Sequence, residues 1–579
     1  MYSNIKSVQI LLSLLKQYKI KNIVISPGNS HNAIVRSLEE DDYFSTYSVV
    51  DERSAAFFAC GISQELNDKV AICCTAGTAA TNYMSGITEA YRRNLPILVI
   101  TADKNPYYLN QYEDQMIDQL SIFSPITRAN CSLPMIKDKN DEWYCQRIIN
   151  ETLLEMDHHG IGPVQINVPI EGYEMFAIGD SFTTTALPKI NKINRYILSN
   201  TSIIKNNIFN RLKNKKIMFL CGQNDHVSKN FIDTVENIFN KFDCIFATDK
   251  LSNLHCNGTV DISRAICMYQ LSKKELVPDI LIMLDGNTVN ELKSHARWSN
   301  LIEECWIVNR EGKIADYTRK LTNVFEGTTY QFLEMLSKSE NRCRKHSFYN
   351  AWKNASKGFI IPEFGFSNLY VTNKFMHNIP KYSNLNIGNS TSIRLARFFD
   401  LDDTIQVYCN RGVNGIDGCV STFIGQAAVS KEKLNFIIVG DLTFFYDMNS
   451  IWNNNISSNV RILLINNSGA ALFNYNQGVK NYPEINKNVA AEHFSTAKGW
   501  SEDQGFIYLS ATDKKVFDEN LTQFIEKSEK PVFFEVFTDK IKDAELQHKF
   551  IDLNNKNTSA DIKSKIIRKA KKIIKTMIR

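Results

Sequence analysis

Phe436-Ile437-Ile438-Val439-Gly440-Asp441-Leu442-Thr443 decides how this chain is read. An unbroken apolar run with β-branched residues makes a strand buried on both faces, and such strands belong to parallel sheets covered by helices. Gly440 ends the run, and Asp441 stands at the mouth of a helix expected over Phe444 to Asn455. The next run, Arg461-Ile462-Leu463-Leu464-Ile465, ends in Asn466-Asn467-Ser468-Gly469, so Asn467 comes 26 residues after Asp441, a distance suited to one helix and one strand.

The same alternation extends in both directions. Asn22-Ile23-Val24-Ile25-Ser26 stops at Pro27-Gly28, Val70 to Cys74 at Thr75-Ala76-Gly77-Thr78, and Pro96 to Ile100 at Thr101-Ala102-Asp103; Gly162 to Pro169 reads as the last strand of a first unit. After a polar stretch, Lys216 to Gly222 starts a second unit, continued by Ile280 to Gly286 and Cys305 to Val308. Pro531 to Phe537 belongs with the opening stretch in a third. The predicted class is α/β, with three doubly wound parallel-sheet domains in series. The expected bounds are 1–182, 200–345 and 360–545, followed by a basic tail over 546–579. The middle unit has only isolated glycines after its strands and reads as structural, with no bound flavin.

A chain of 579 residues exceeds what one hydrophobic core organises. Apolar residues at 44% and charged residues at 22% fit a folded soluble protein and exclude a disordered or collagen-like one. The first residues form an amphipathic pattern broken by Lys6, Gln9, Lys16 and Gln17 rather than a signal peptide, and no apolar run is long enough for a membrane span. A cytoplasmic protein is expected. The thirteen cysteines are scattered without zinc-ligand spacing and read as buried reduced thiols. Eight basic residues and no acid lie between Lys563 and Arg579, so the rest of the chain is mildly acidic. The tail reads as a solvated end, or as a basic amphipathic helix making weak contact with an anionic membrane surface or a partner; no nucleic-acid binding is expected.

In open parallel sheets ligands sit beyond the carboxyl ends of the strands. Free N–H groups at the helix after Gly440 suit a diphosphate, and a hard divalent cation would bridge its oxygens to the Asp441 carboxylate. An amide oxygen from Asn467 and a carbonyl near Gly469 would complete the protein's ligands to Mg²⁺ or Mn²⁺.

Gly440-Asp441 followed by Asn466-Asn467 resembles the thiamine diphosphate signature. Ser26-Pro27-Gly28, Asp51-Glu52-Arg53-Ser54-Ala55-Ala56-Phe57-Phe58, Thr75-Ala76-Gly77-Thr78-Ala79, Thr101-Ala102-Asp103, Gly388-Asn389-Ser390, Asn410-Arg411-Gly412 and Gly415-Ile416-Asp417-Gly418 narrow the resemblance to the MenD family, the SEPHCHC synthases. The resemblance covers about 26–478 and implies pyrimidine-binding, central and diphosphate-binding domains. It implies a decarboxylating carboligase with thiamine diphosphate held by Thr78, Ser390, Ile416, Gly440, Asp441, Leu442, Thr443 and Asn467. Glu52 matches the glutamate that activates the aminopyrimidine ring, and Ile416 the apolar prop that bends the cofactor. Ser390, Arg394, Arg411 and Gln115 match positions that hold substrate carboxylates, which suits 2-oxoglutarate as donor. Because Glu52 and Asp441 lie in different domains, the resemblance also implies a cofactor shared between subunits, in a homodimer or homotetramer.

Around the acceptor the chain departs from the family. Ser26-Pro27-Gly28-Asn29-Ser30-His31 lacks an arginine, Asp103-Lys104-Asn105-Pro106 keeps a charge at Lys104 without the planar fork, and the loop after Gly286 offers Lys293 and an acid where the family has two bases. Asn467 to Phe473 replaces a glycine-rich step before the apolar, substrate-facing pair, here Leu472 and Phe473. Each lost charged hydrogen bond weakens binding by roughly 1.5 to 3 kcal/mol. The expected acceptor is therefore isochorismate or, more in keeping with these losses, a different carbonyl or enone. The alternatives are a pyruvate-type decarboxylase or acyloin and acetolactate-synthase-like enzyme, and a non-catalytic relative that binds partners.

Overall fold

The computed structural model describes residues 1–170, 182–190, 192–193, 205–289, 291–299, 301–312, 315–475 and 484–556. The basic stretch 563–579 lies outside them.

Each expected unit contains one six-stranded sheet, and every pairing within the sheets is parallel. The first consists of β1 (Asn22–Ile25), β2 (Ser45–Ser48), β3 (Val70–Cys74), β4 (Ile97–Asp103), β5 (Asn130–Ser132) and β6 (Val164–Pro169), in the order β2-β1-β3-β4-β6-β5. The second holds β7 (Ile217–Leu220), β8 (Cys244–Thr248), β9 (Thr259–Asp261), β10 (Ile280–Met283), β11 (Glu304–Asn309) and β12 (Leu321–Glu326), in the order β12-β11-β10-β7-β8-β9. The third holds β13 (Asn384–Ile387), β14 (Gln406–Tyr408), β15 (Asn435–Gly440), β16 (Val460–Asn466), β17 (Ile507–Ala511) and β18 (Val532–Phe537), in the order β14-β13-β15-β16-β18-β17. The first and third sheets are thus wound alike. Every apolar run singled out in the sequence is an interior strand, because interior strands are the ones covered on both faces.

Helix Glu52–Leu66 of the first unit lies against helix Cys419–Val429 of the third. Small residues permit the approach: a Cβ on Gly61 would stand 1.9 Å from the Thr422 carbonyl oxygen, and one on Gly425 2.1 Å from that of Phe58. One hydrophobic cluster consequently runs through the crossing, from Val24 and Ile72 to Ile437 and Ile462. Gly61→Ala is expected to destabilise the chain by about 1–3 kcal/mol in chemical denaturation, since backbone rather than a yielding side chain blocks the added methyl.

Two expected bounds differ from those in the structure. The helix after Gly440 is short, Asp441–Tyr446, and is followed by a 3₁₀ turn, Met448–Ile451. Asp447 leaves the helix at φ −120° with its carboxylate turned inward onto Ser421, accepting from N at 2.7 Å and Oγ at 2.6 Å. At the other end, helix Lys540–Asn554 runs through the expected boundary at 545, because Phe550 packs on Phe364 and Phe398 of the third unit.

Candidate active site

In the third sheet the winding direction reverses between β13 and β15, so the loops after them flank a crevice. Asp441 opens the helix beside it, buried, in the first turn after Gly440. Its Oδ2 accepts N–H groups from Asn467 at 3.1 Å and Gly469 at 2.9 Å, and its Oδ1 accepts the N–H of Leu442 at 2.7 Å. The residues expected to hold a cation are therefore gathered at one carboxylate. Three N–H groups leave room for a further partner among a carboxylate's about four lone-pair positions.

The Asn467 side chain fits a cation as well. Its Nδ2 donates to Asp543 Oδ2 at 2.9 Å, which fixes the amide, and its Oδ1 takes no hydrogen bond among the described residues. Asp543 also accepts from Thr538 Oγ1 at 2.7 Å and from the Asn368 N–H at 2.9 Å; burial pushes its carboxyl up from the ordinary range. Gly469, at φ +132°, already gives its carbonyl to the Ala471 N–H at 3.1 Å, leaving one lone pair. His493 joins the group unannounced by any motif, its Nε2 3.3 Å from Asp441 Oδ2. Thr443 is buried and Leu442 half-buried in the same helix.

Along the crevice, Asn389 and Ser390 follow β13. Ser390 has φ +68°, a strained region for a residue with a Cβ and one found at functional turns. Asn389 is buried, its Nδ2 donating to the carbonyls of Asn410 at 2.6 Å and Gly415 at 2.7 Å, while its Oδ1 accepts from Arg411 Nη1 at 3.0 Å. This network ties Ser390, Arg411 and the Ile416 loop together. Arg394 lies exposed in the last turn of helix Thr391–Ala396. Ile416 is half-buried just before Gly418, which sits against the Phe57 ring. Leu472 and Phe473 are half-buried in helix Ala471–Tyr475.

Arg411 also lines a cleft of about 570 Å³ where the three units meet, together with Arg92, Gln223, Gly286, Asn287 and Lys293. Lys293 is half-buried there, and desolvation pulls its amine below the ordinary lysine range. A second cleft of about 680 Å³, lined by Glu65, His226, Tyr382 and Lys433, holds none of the residues singled out by sequence.

In the first unit, Glu52 begins its helix directly after the cap, Asp51, whose side chain accepts from the Ser54 N–H at 2.9 Å. Both neighbours of Glu52 hold the third unit: Asp51 accepts from Asn449 Nδ2 at 3.1 Å, and Arg53 donates to the Tyr446 carbonyl at 2.6 Å while lying over its ring. Burial raises the Glu52 carboxyl above the ordinary range. Thr78 is exposed in the first turn of helix Thr78–Asn82, and the Gln115 backbone lies against Gly77.

The acceptor-side departures have structural counterparts. Ser30 turns inward, bonding the Thr75 hydroxyl and accepting the Ala76 N–H at 2.8 Å. His31 is buried and its pKa is lowered by desolvation to about 4, so it is neutral and supplies no cation. Lys104 is already paired with Glu113 at 2.6 Å. Of the bases considered on this side, Lys293 is the one sharing a cleft with Arg411.

Sequence reasoning passed over Glu89, Gln119, His493 and Asp543. Gln119 accepts the Gly77 N–H at 2.9 Å and donates to the Ala102 carbonyl at 2.9 Å, fixing the loop before Thr78. It stands between Asp118 and Leu120 in a mixed polar and apolar stretch that gives no signal of this role.

Residues 5–122 match the family model described as "Thiamine pyrophosphate enzyme, N-terminal TPP binding domain". With three parallel-sheet units and the Asp441 cluster, this makes the chain a thiamine-diphosphate-dependent enzyme. Three proteins named 2-succinyl-5-enolpyruvyl-6-hydroxy-3-cyclohexene-1-carboxylate synthase align along nearly its whole length. That of Phocaeicola vulgatus is 37% identical over 96% of this chain and 100% of its own, and that of Bacteroides thetaiotaomicron 35% identical over 94% and 98%. That of Flavobacterium johnsoniae is 31% identical over 92% and 95%. The chain belongs to the 2-succinyl-5-enolpyruvyl-6-hydroxy-3-cyclohexene-1-carboxylate synthase family.

Proposed function

We propose that the chain joins a succinyl group from 2-oxoglutarate to isochorismate with loss of carbon dioxide, acting in the cytoplasm as a homodimer or homotetramer with thiamine diphosphate and Mg²⁺ or Mn²⁺. The observation that carries this reading is near-full-length likeness to proteins whose name spells out the product. A succinyl group ends in a carboxylate and is what 2-oxoglutarate leaves after decarboxylation. A cyclohexene carboxylate bearing enolpyruvyl and hydroxyl groups is what isochorismate leaves after accepting it. The comparisons give no support to another acceptor, to a pyruvate-type enzyme or to a non-catalytic relative. A reducing compartment accords with thirteen free cysteines, and no helix among the described residues is long and apolar enough to cross a membrane.

When bound, thiamine diphosphate supplies a thiazolium ring that takes up the electron pair released as carbon dioxide leaves. The protein's part is orientation and proton placement. Asp441, the Asn467 amide oxygen and the Gly469 carbonyl would hold the cation, and Gly440, Leu442 and Thr443 would line the diphosphate. Glu52 of one subunit would hold a proton on its carboxyl for the aminopyrimidine ring of a cofactor bound in the other subunit's site, which Thr78 would also contact. Ile416 would prop the cofactor. Ser390, Arg394, Arg411 and Gln115 hold the donor's carboxylates, Lys293 and Lys104 serve the acceptor side, and Leu472 and Phe473 wall the pocket.

Carbon dioxide release from a panel of 2-oxo acids tests the reading, first alone and then with isochorismate. Turnover of 2-oxoglutarate with adduct formation is expected. Turnover without adduct would overturn the acceptor, preference for pyruvate would overturn the donor, and inertness toward every acid would overturn the enzyme.

A further inference from the structure

Helix Met84–Arg93 of the first unit reaches both of the others. One turn apart on it, Arg93 pairs with Asp225 of the second unit at 2.7 Å and Glu89 faces the third. Glu89 is buried, and its carboxylate is spent on the backbone just after Arg411: Oε1 accepts the Gly412 N–H at 3.0 Å and Oε2 the Val413 N–H at 2.9 Å. A Cβ on Gly412 would stand 2.8 Å from Glu89 Oε2 and 2.9 Å from the Glu89 carbonyl oxygen, so the fit admits only glycine. Asn287 of the second unit donates to the Arg411 carbonyl at 2.7 Å, and Asn389 of the third accepts from Arg411 Nη1 at 3.0 Å. Arg411 is thus gripped from three units at once. Its Nε is buried with no partner among the described residues, and the side chain faces the cleft.

A buried carboxylate carries a large desolvation cost, and here burial raises the Glu89 carboxyl above the ordinary range. Two charge-assisted hydrogen bonds to main-chain N–H groups offset that cost and fix the loop in one register. Arg411 carries rotamer entropy that a floppy loop would add to, so anchoring its backbone lowers what must be ordered when a carboxylate docks.

We infer that Glu89 is a positioning residue that presents Arg411 to the distal carboxylate of the donor. This rests on the proposed assignment of Arg411 to that carboxylate. Glu89 touches neither substrate nor cofactor; it acts through the Gly412 and Val413 N–H groups. Glu89→Gln keeps the shape but turns one acceptor into an NH₂ facing an N–H. It is expected to raise KM for 2-oxoglutarate roughly 10- to 100-fold, the effect falling on KM rather than kcat. KM for 2-oxobutyrate, which lacks the distal carboxylate, is expected to stay within about twofold of the parent enzyme's.

The experiment measures both donors by carbon dioxide release in the loaded enzyme for the parent, Glu89→Gln, Asn287→Ala and Arg411→Ala, with thermal melts of each. Asn287→Ala loosens the same loop without leaving a buried charge and keeps the test alive should Glu89→Gln not fold; the same donor-selective KM rise is expected, of smaller size. An equal KM rise for both donors, or none, in the folded loop variants while Arg411→Ala remains donor-selective would overturn the role of Glu89 alone. Arg411→Ala without donor selectivity would overturn the reading of Arg411 and this inference with it.

Discussion

Glu52→Gln is expected to lower kcat by roughly 10²- to 10⁴-fold, the range over which a positioned general acid or base contributes. The carboxyl can pass a proton to a ring nitrogen and take it back, whereas the amide donates a hydrogen bond but gives up no proton. Burial raises the Glu52 carboxyl, so it keeps its proton to a higher pH than a free glutamate does. If the protonated form is the working one, kcat falls as pH rises through that raised value, and the alkaline limb contributed by Glu52 disappears in Glu52→Gln. Steady-state rates across pH on the cofactor-saturated enzyme measure both effects. A variant retaining more than about a tenth of the parent rate would remove Glu52 from the chemistry.

Asp441→Ala is expected to abolish uptake of thiamine diphosphate with Mg²⁺ and to destabilise the cofactor-free protein. The carboxylate is what holds the Asn467 and Gly469 N–H groups, at 3.1 and 2.9 Å. Leaving those donors unpaired costs about 2–6 kcal/mol at the usual penalty for each. Asp441→Asn separates the two losses: its amide oxygen still accepts from the loop, so stability is partly restored, but it brings no negative charge to a hard cation. Chemical denaturation of the free protein and calorimetry with cofactor and metal read the two quantities independently. Undiminished uptake in both variants would remove Asp441 from the cofactor site.

How far the sequence reveals this molecule depends on what each residue must be buried from. Interior strands announce themselves as apolar runs, and the loops after β1, β3, β13, β15 and β16 carry glycine and polar residues at the place where parallel sheets bind ligands. The edge strands β2, β5, β9, β12, β14 and β17 are half open to solvent or very short, and Ser45-Thr46-Tyr47-Ser48 contains no apolar run to mark it as a strand. Strand β13 is hidden for another reason, since Asn384 and Asn386 alternate with its apolar residues, their amides donating to Asn435 and Gln426. The candidate site divides the same way. Asp441, Asn467 and Gly469 form a local spacing, so their meeting could be anticipated. Glu89 and Asp543 each act on a residue far along the chain, 323 and 76 positions away, and a helix sequence gives no sign of such a partner.

The crossing of helices Glu52–Leu66 and Cys419–Val429 has a consequence for how the chain comes apart. Its cluster belongs to neither outer unit alone, so the first and third units are expected to melt in one transition. A fragment ending at residue 182 would show water the face bearing Phe57, Phe58 and Gly61, and such a face invites aggregation. Proteolytic nicking between the units should therefore yield cut chains that stay assembled rather than a soluble N-terminal piece.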